Sequence, residues 1–285
     1  MDKIAIIANN KKEEISQVLL RVCNLLDEHK QDYILEKASA KLIDKQVENV
    51  NYKQIINYAT KIIVLGGDGT FLNVARTFAN SDVSILGINL GRLGFLTDIE
   101  VNKLETGLEK LLAKDYNIEE RMMLKGEVIR DGEVIHKTVA ANDIVVTKGP
   151  FARIINLKTM IGDQYLATYP ADGLIVACPT GSTAYSLSAG GPIVNPRLES
   201  LIITPICPHT LHSRSIVIGK DEKVKIEIEA DHKDIMLTVD GQNTFELAPQ
   251  DTVRVSKSEL ITKLIKLKGY SFYQVLRNRM NENKF

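Results

Sequence analysis

The sequence predicts two domains: an α/β N-terminal domain with a Rossmann-like parallel sheet, and a β-rich, sandwich-like C-terminal domain. Three observations predict this. Over the first 113 residues, short β-branched runs alternate with stretches of helical apolar period. After about residue 120 the period becomes two, with turn signals between short runs. The length, 285 residues, matches two domains at about 150 residues each.

In the first domain, Lys3 to Ala8 is a β-branched strand. Ile15, Val18, Leu19, Val22, Leu25 and Leu26 then lie on one face of a helix. Tyr33 to Leu35 is a weaker strand, and Tyr52 to Thr60 reads as a helix. Lys61 to Leu65 is a buried strand that stops at Gly66-Gly67. Phe71 to Ala79 reads as a helix and Val83 to Ile88 as a strand. Leu104, Leu108, Leu111 and Leu112 mark another helix. Strand–helix alternation of this kind builds a parallel sheet covered by helices.

In the second domain, Asp131-Gly132 and Gly162-Asp163 are two-residue hairpin turns between strand-like runs. Val224, Ile226 and Ile228 alternate with polar residues, as do Ile235, Leu237 and Val239. Thr252 to Ser256 and Ile261 to Leu267 complete the strands. The expected division is 1–117, 118–267 and a C-terminal segment, 268–285. Six basic residues and one acid lie between Lys263 and Lys284. They form either a phosphate-facing edge or a solvated face that offsets acids elsewhere.

Composition narrows the function. Lys plus Arg and Asp plus Glu each number 36, so the formal charge is zero. That argues against a general nucleic-acid binder and a polybasic membrane anchor. No apolar run exceeds five residues, which leaves no transmembrane helix. No signal peptide is visible. Cys23, Cys178 and Cys207 lie far apart without metal or redox spacing. A reducing cytoplasm with free thiols is expected.

Four segments carry chemistry. Gly66-Gly67-Asp68-Gly69-Thr70 follows a strand and precedes a helix. Its glycines permit close approach to a ligand, and the helix start favours phosphate. Asp68 repels phosphate unless a cation or a hydroxyl proton intervenes. It is therefore metal-linked, a general base, or only a helix N-cap. The loop Asn89 to Leu96 follows the next strand. Its Leu93, Phe95 and Leu96 either bury at the domain interface or touch a ligand. Asn142-Asp143 suits a nucleoside: the amide pairs with a base edge and the carboxylate accepts ribose hydroxyls. It also reads as a polar strand kink. The longest segment, Ala171 to Pro192, contains Asp172-Gly173 and Pro179-Thr180-Gly181-Ser182-Thr183-Ala184-Tyr185. A short helix there, capped by Ser182 or Thr183, would form an anion site, or merely a close-packed turn. His209 and His212 read as structural, with Arg214 set to pair with a carboxylate. Asp240-Gly241-Gln242 reads first as a hairpin turn, with a nucleotide contact by Gln242 as the second reading.

With the Gly66–Thr70 and Pro179–Tyr185 segments together, the chain resembles NAD kinases over nearly its whole length. Leu90 to Phe95, Asn142-Asp143, Asp172-Gly173, Ser186 to Pro192 and Thr204 to Arg214 extend the likeness. The resemblance implies transfer of the γ-phosphoryl group of ATP to the adenosine-ribose 2′-hydroxyl of NAD, giving NADP. It implies Mg²⁺ or a similar divalent ion, and a last helix that returns to the first domain. It also implies homo-oligomers, dimers or tetramers, in which a neighbour completes the NAD site. Asp68 would then be the proton acceptor, beside Gly69 in the Gly66, Gly67, Thr70 loop. Phe95, Asn142, Asp143, Asp172, Thr183, Ala184, Tyr185, Ser186, Leu187, Ser188 and Gln242 would hold the dinucleotide. Arg153 falls where some members contact it. Pro170 stands where many members have Arg, and Ser215 where many have Pro. Lipid kinases with a similar glycine loop and a non-catalytic NAD sensor are the rival readings.

Overall fold

The computed structural model describes residues 3–10, 14–91, 94–269 and 271–281. The chain forms two compact units. One comprises Met1–Glu120 with Thr262–Phe285, the other Arg121–Ile261.

The first unit is built on a parallel sheet. Its strand order is Asn49–Val50, Tyr33–Glu36, Ile4–Ala8, Lys61–Leu65, Ser84–Asn89. Every residue of Ile4–Ala8 and Lys61–Leu65 is buried, as strands covered on both faces require. Lys263 and Leu264 add to the sheet by pairing in parallel with Ser84 and Ile85. The helix Ile15–Glu28 buries Ile15, Val18, Leu19, Val22 and Leu26, the face its spacing predicts. The helix Tyr52–Tyr58 starts in a capping box between Asn51 and Gln54. Leu104, Leu108 and Leu111 of the helix Leu104–Leu112 join the same core. The strand order reverses between Ile4–Ala8 and Lys61–Leu65. Ligands of such sheets bind outside the strand ends at that point.

The second unit is antiparallel. One sheet has the order Ile216–Gly219, Ser200–Ile206, Gly173–Ala177, Asp143–Lys148, Ile235–Val239, Asn243–Leu247. A second group of strands includes Gln164–Ala171, Ile155–Ile161 and Val224–Glu229. Val146, Leu174 and Leu237 of the first sheet share one core with Leu157, Ile226 and Val253 of the second. Asp131 and Gly132 both take positive φ, +53° and +82°, as a tight hairpin turn requires. Pro170 sits on Gln164–Ala171, an edge strand, where its missing N–H costs little.

Two expectations change. The helix expected from Phe71 begins at Asp68, with Gly67 as its cap. The last two expected strands are one, Thr252–Leu267. Residues 257–260, between the two expected strands, are strand residues as well.

Candidate functional site

In the first unit the glycine loop occupies the C-terminal end of Lys61–Leu65. Gly67 has extended backbone and caps the helix Asp68–Thr77. Asp68 is the first helical residue, so it is not the cap. Its carboxylate turns to the second glycine loop instead. Asp68 Oδ2 accepts from the Phe95 amide at 3.0 Å, and Oδ1 from the Leu96 amide at 3.3 Å. A Cβ on Gly94 would lie 2.0 Å from Asp68 Oδ1, so a side chain there must displace the carboxylate or the loop. Thr97 Oγ1 fastens this loop by accepting from the Gly94 amide at 3.1 Å. Burial pushes the Asp68 carboxyl up, while the Phe95 and Leu96 amides, Lys266 and Arg279 oppose that.

Thr70 leans over Gly66, and its hydroxyl accepts from Asn9 Nδ2 at 3.0 Å. Asn9 follows the strand Ile4–Ala8, so this bond spans the reversal point of the sheet. The Phe95 ring is only partly buried and packs 5.9 Å from Phe272 of the C-terminal helix Phe272–Asn281. Leu96 is buried; Arg92 and Leu93 lie outside the described residues. Three of the basic residues near the C-terminus are matched by acids. Lys263 pairs with Asp82, Lys266 with Asp98 at 2.5 Å, and Lys268 with Asp115 at 2.7 Å.

In the second unit Asp143 begins the central strand Asp143–Lys148, and Asn142 lies in the bend just before it. Both are buried, Asn142 at 8% and Asp143 at 3% exposure. Asn142 Oδ1 is buried with no hydrogen-bond partner, an acceptor waiting for a donor. Burial, and then the charge of Asp240, pushes the Asp143 carboxyl up to about 7. Gly181 seats the next segment against this bend: a Cβ there would meet the Asn142 carbonyl oxygen at 2.2 Å. The Cys178 amide donates to that oxygen at 2.9 Å, and its buried thiol donates to the Ala141 carbonyl at 3.0 Å. The Tyr185 phenol is pushed up by burial and by the charges of Cys207, Asp172 and Asp143. Tyr185 therefore lies within electrostatic range of both aspartates. Asp172 sits at the far end of the strand pair, since Ala177 faces Asp143 and Gly173 faces Thr147. That separation is about 15 Å at the rise of a strand. Lys148 pairs with Asp172 at 3.6 Å.

The remaining segment differs from expectation. Neither Ser182 nor Thr183 caps the helix Tyr185–Ser188; its cap is Ala184. Ser182 Oγ bonds the Val194 amide and carbonyl, and Thr183 Oγ1 the Thr180 carbonyl. The amides of Ser182, Ala184, Leu187 and Ser188 bond within these two turns. The segment presents side chains, with Tyr185, Leu187 and Ser188 exposed and Ser186 buried on Thr204. Arg153 stands apart, exposed and 3.4 Å from Asp231. Arg214 donates to the Ser213 carbonyl at 2.9 Å rather than to a carboxylate. Gln242 is exposed in the turn begun by Asp240. Gly94, Cys178 and Asp240 were missed as site-building residues; each acts on a segment distant in sequence, which no local pattern marks.

A family model described as the ATP-NAD kinase N-terminal domain matches residues 4–116, and one described as the ATP-NAD kinase C-terminal domain matches 141–267. The chain belongs to the ATP-NAD kinase family. Among relatives, it is 46% identical over 280 residues to an NAD kinase of Natranaerobius thermophilus, covering 98% of each chain. It is 44% identical over 282 residues to an NAD kinase of Caldanaerobacter subterraneus subsp. tengcongensis, covering 99% of this chain and all of the other. Two solved ATP-NAD kinase folds compare at lower identity. Yeast NADH kinase complexed with NADH superposes with a TM-score of 0.90 at 24% identity, over 100% of this chain and 89% of that one. An NAD kinase from Archaeoglobus fulgidus in complex with ATP gives 0.76 at 23%, over 98% of both. These two bear on the fold, which is that of ATP-NAD kinases.

Proposed function

We propose that this chain phosphorylates NAD from ATP, with Asp68 taking the proton of the adenosine-ribose 2′-hydroxyl. The observation that carries the reading is the pair of amides aiming the Asp68 carboxylate. A helix cap needs no such aim. Phosphoryl transfer is mainly positioning and charge neutralisation. The Gly66–Thr70 loop at a helix start supplies a place for the triphosphate. Asn142 offers its unpaired acceptor to a base edge, and Asp143 accepts ribose hydroxyls. Asp172, Thr183 to Ser188 and Gln242 complete the dinucleotide contacts, with Phe95 and Arg153 as outer ones.

Among the described residues no group of three or more His, Cys, Asp and Glu can hold a metal. We take the divalent ion to be carried on the triphosphate. When bound, such an ion neutralises phosphate charge. No described helix is long and apolar enough to cross a membrane. The free thiols of Cys23, Cys178 and Cys207 support a cytoplasmic protein, and we take it to act as a homo-oligomer.

The deciding experiment incubates purified protein with NAD, ATP and Mg²⁺ and separates products by chromatography. NADP above a no-enzyme control is the expected result. NAD binding without NADP would leave a sensor instead. A second prediction concerns the clamp. At pH 8, Asp143→Ala should weaken NAD binding by at least about tenfold, because hydroxyls lose a charged acceptor worth about 1.5–3 kcal/mol per bond. Calorimetric titration reads this, and unchanged affinity would remove Asp143 from the site.

A further inference from the structure

We propose that Asp240 is a positioning residue for NAD, its carboxylate holding the Ala141–Asp143 backbone in the bend that presents Asn142 and Asp143. The proposal rests on the kinase reading above. Asp240 Oδ2 accepts from the Ala141 amide at 2.9 Å. Its Oδ1 accepts from the Asn142 amide at 2.7 Å and the Asp143 amide at 3.0 Å. Three consecutive amides thus converge on one carboxylate, as in an anion-binding nest. The Asp240 amide returns a bond to the Asp143 carbonyl at 3.0 Å.

A hairpin turn does not call for this. Asp240 and Gly241 have φ of +50° and +66°, and Asn serves as well as Asp at such a position. The carboxylate is nevertheless buried, at 8% exposure, next to a second buried acid. Burying two like charges together works against folding. The fold gains a turn that an amide would also supply. The acid matters for what it holds, the bend and strand start carrying Asn142 and Asp143.

The charge has a second effect. Asp143 feels the charge of Asp240, and its own charge acts on the Cys178 thiol and the Tyr185 phenol. The thiol, pushed up to about 12, stays neutral, and the phenol is raised as well. Burial opposes ionisation of Asp143 most, and the Asp240 charge adds to it. Ribose hydroxyls donate best to the ionised carboxylate. NAD affinity should therefore rise as pH passes through about 7, by about tenfold between pH 6 and pH 8. NAD itself has no group titrating in that window.

The test is calorimetric titration with NAD at pH 6, 7 and 8, with steady-state kinetics at pH 8, on wild type, Asp240→Asn and Asp240→Glu. In Asp240→Asn an amide N–H₂ must face one of the three donors, and the charge is gone. Its Kd at pH 8 should rise by about tenfold or more, and kcat at saturating NAD should stay within about threefold. Its affinity ratio between pH 8 and pH 6 should shrink without vanishing, because burial still holds the Asp143 carboxyl up. Asp240→Glu keeps the charge but misplaces it, so Kd should rise while the pH dependence remains. Wild-type Kd and pH ratio in Asp240→Asn would overturn the proposal, as would a fall in kcat with Kd unchanged. Should Asp240→Asn not fold, an unchanged Kd in Asp240→Glu overturns it. A wild-type chain that makes no NADP overturns the kinase reading, and the proposal with it.

Discussion

Replacing Asp68 by Asn should lower turnover by about 100-fold or more while the chain stays folded. The carboxylate sits on the first residue of a helix and is aimed by the Phe95 and Leu96 amides. Burial raises its proton affinity, the direction a general base needs to work near neutrality. Asn has nearly the same shape but cannot take a proton. Its amide nitrogen must also face one of the two N–H donors, which should loosen the loop by about 1 kcal/mol. Single-turnover rates across a Mg²⁺ or Mn²⁺ titration separate the roles. Partial recovery at high metal would assign Asp68 to the ion, and no recovery to proton transfer. Near-normal turnover at every metal concentration would remove both.

Gly94→Ala should be almost as damaging, although residue 94 offers no chemistry of its own. The new methyl would lie 2.0 Å from Asp68 Oδ1 and 2.4 Å from its Cγ, far inside van der Waals contact. The carboxylate must swing away or the loop must open. A displacement of about 1 Å in a catalytic group can cost 100-fold in rate, and such overpacking about 1–3 kcal/mol in stability. Thermal unfolding and turnover read the two effects separately. If the methyl acts through Asp68, the Asp68→Asn, Gly94→Ala double variant should turn over no more slowly than the worse single variant. Additive losses, or a Gly94→Ala enzyme with wild-type turnover, would break the link.

Much of this was legible because it is local. Alternation in Val224 to Ile228 gives the observed pattern of buried and half-buried residues. Gly66 to Thr70 announces itself by glycine density at a strand end. Asn142 and Asp143 are adjacent polar residues in an apolar run. What was not legible acts over distance. Asp240 reads as a turn residue because Asp-Gly is a turn signal; its three amides lie almost a hundred residues upstream. Gly94 looks like any loop glycine until the Asp68 carboxylate is placed against it. Ser182 looks like a helix cap, but its hydroxyl is drawn to Val194, ten or more residues on. Hydroxyl side chains satisfy whichever backbone group the fold brings near, and spacing alone does not say which.

The last strand, Thr252–Leu267, has a consequence for how the chain is made. Residues 262–267 complete the first unit: Lys263 and Leu264 pair with Ser84 and Ile85, Ile265 and Leu267 enter its core, and Lys266 meets Asp98. A ribosome delivers residues 1–120 first, without them. At about 5–20 residues per second, the stretch 121–261 delays their arrival by several seconds to half a minute. During that interval the Ser84–Asn89 strand lacks the neighbour supplied by Lys263 and Leu264, and such an edge invites pairing with another chain. The Arg121–Ile261 unit is contiguous and suffers no such wait. Residues 1–120 should therefore stay protease-sensitive on the ribosome until nearly the whole chain has been made.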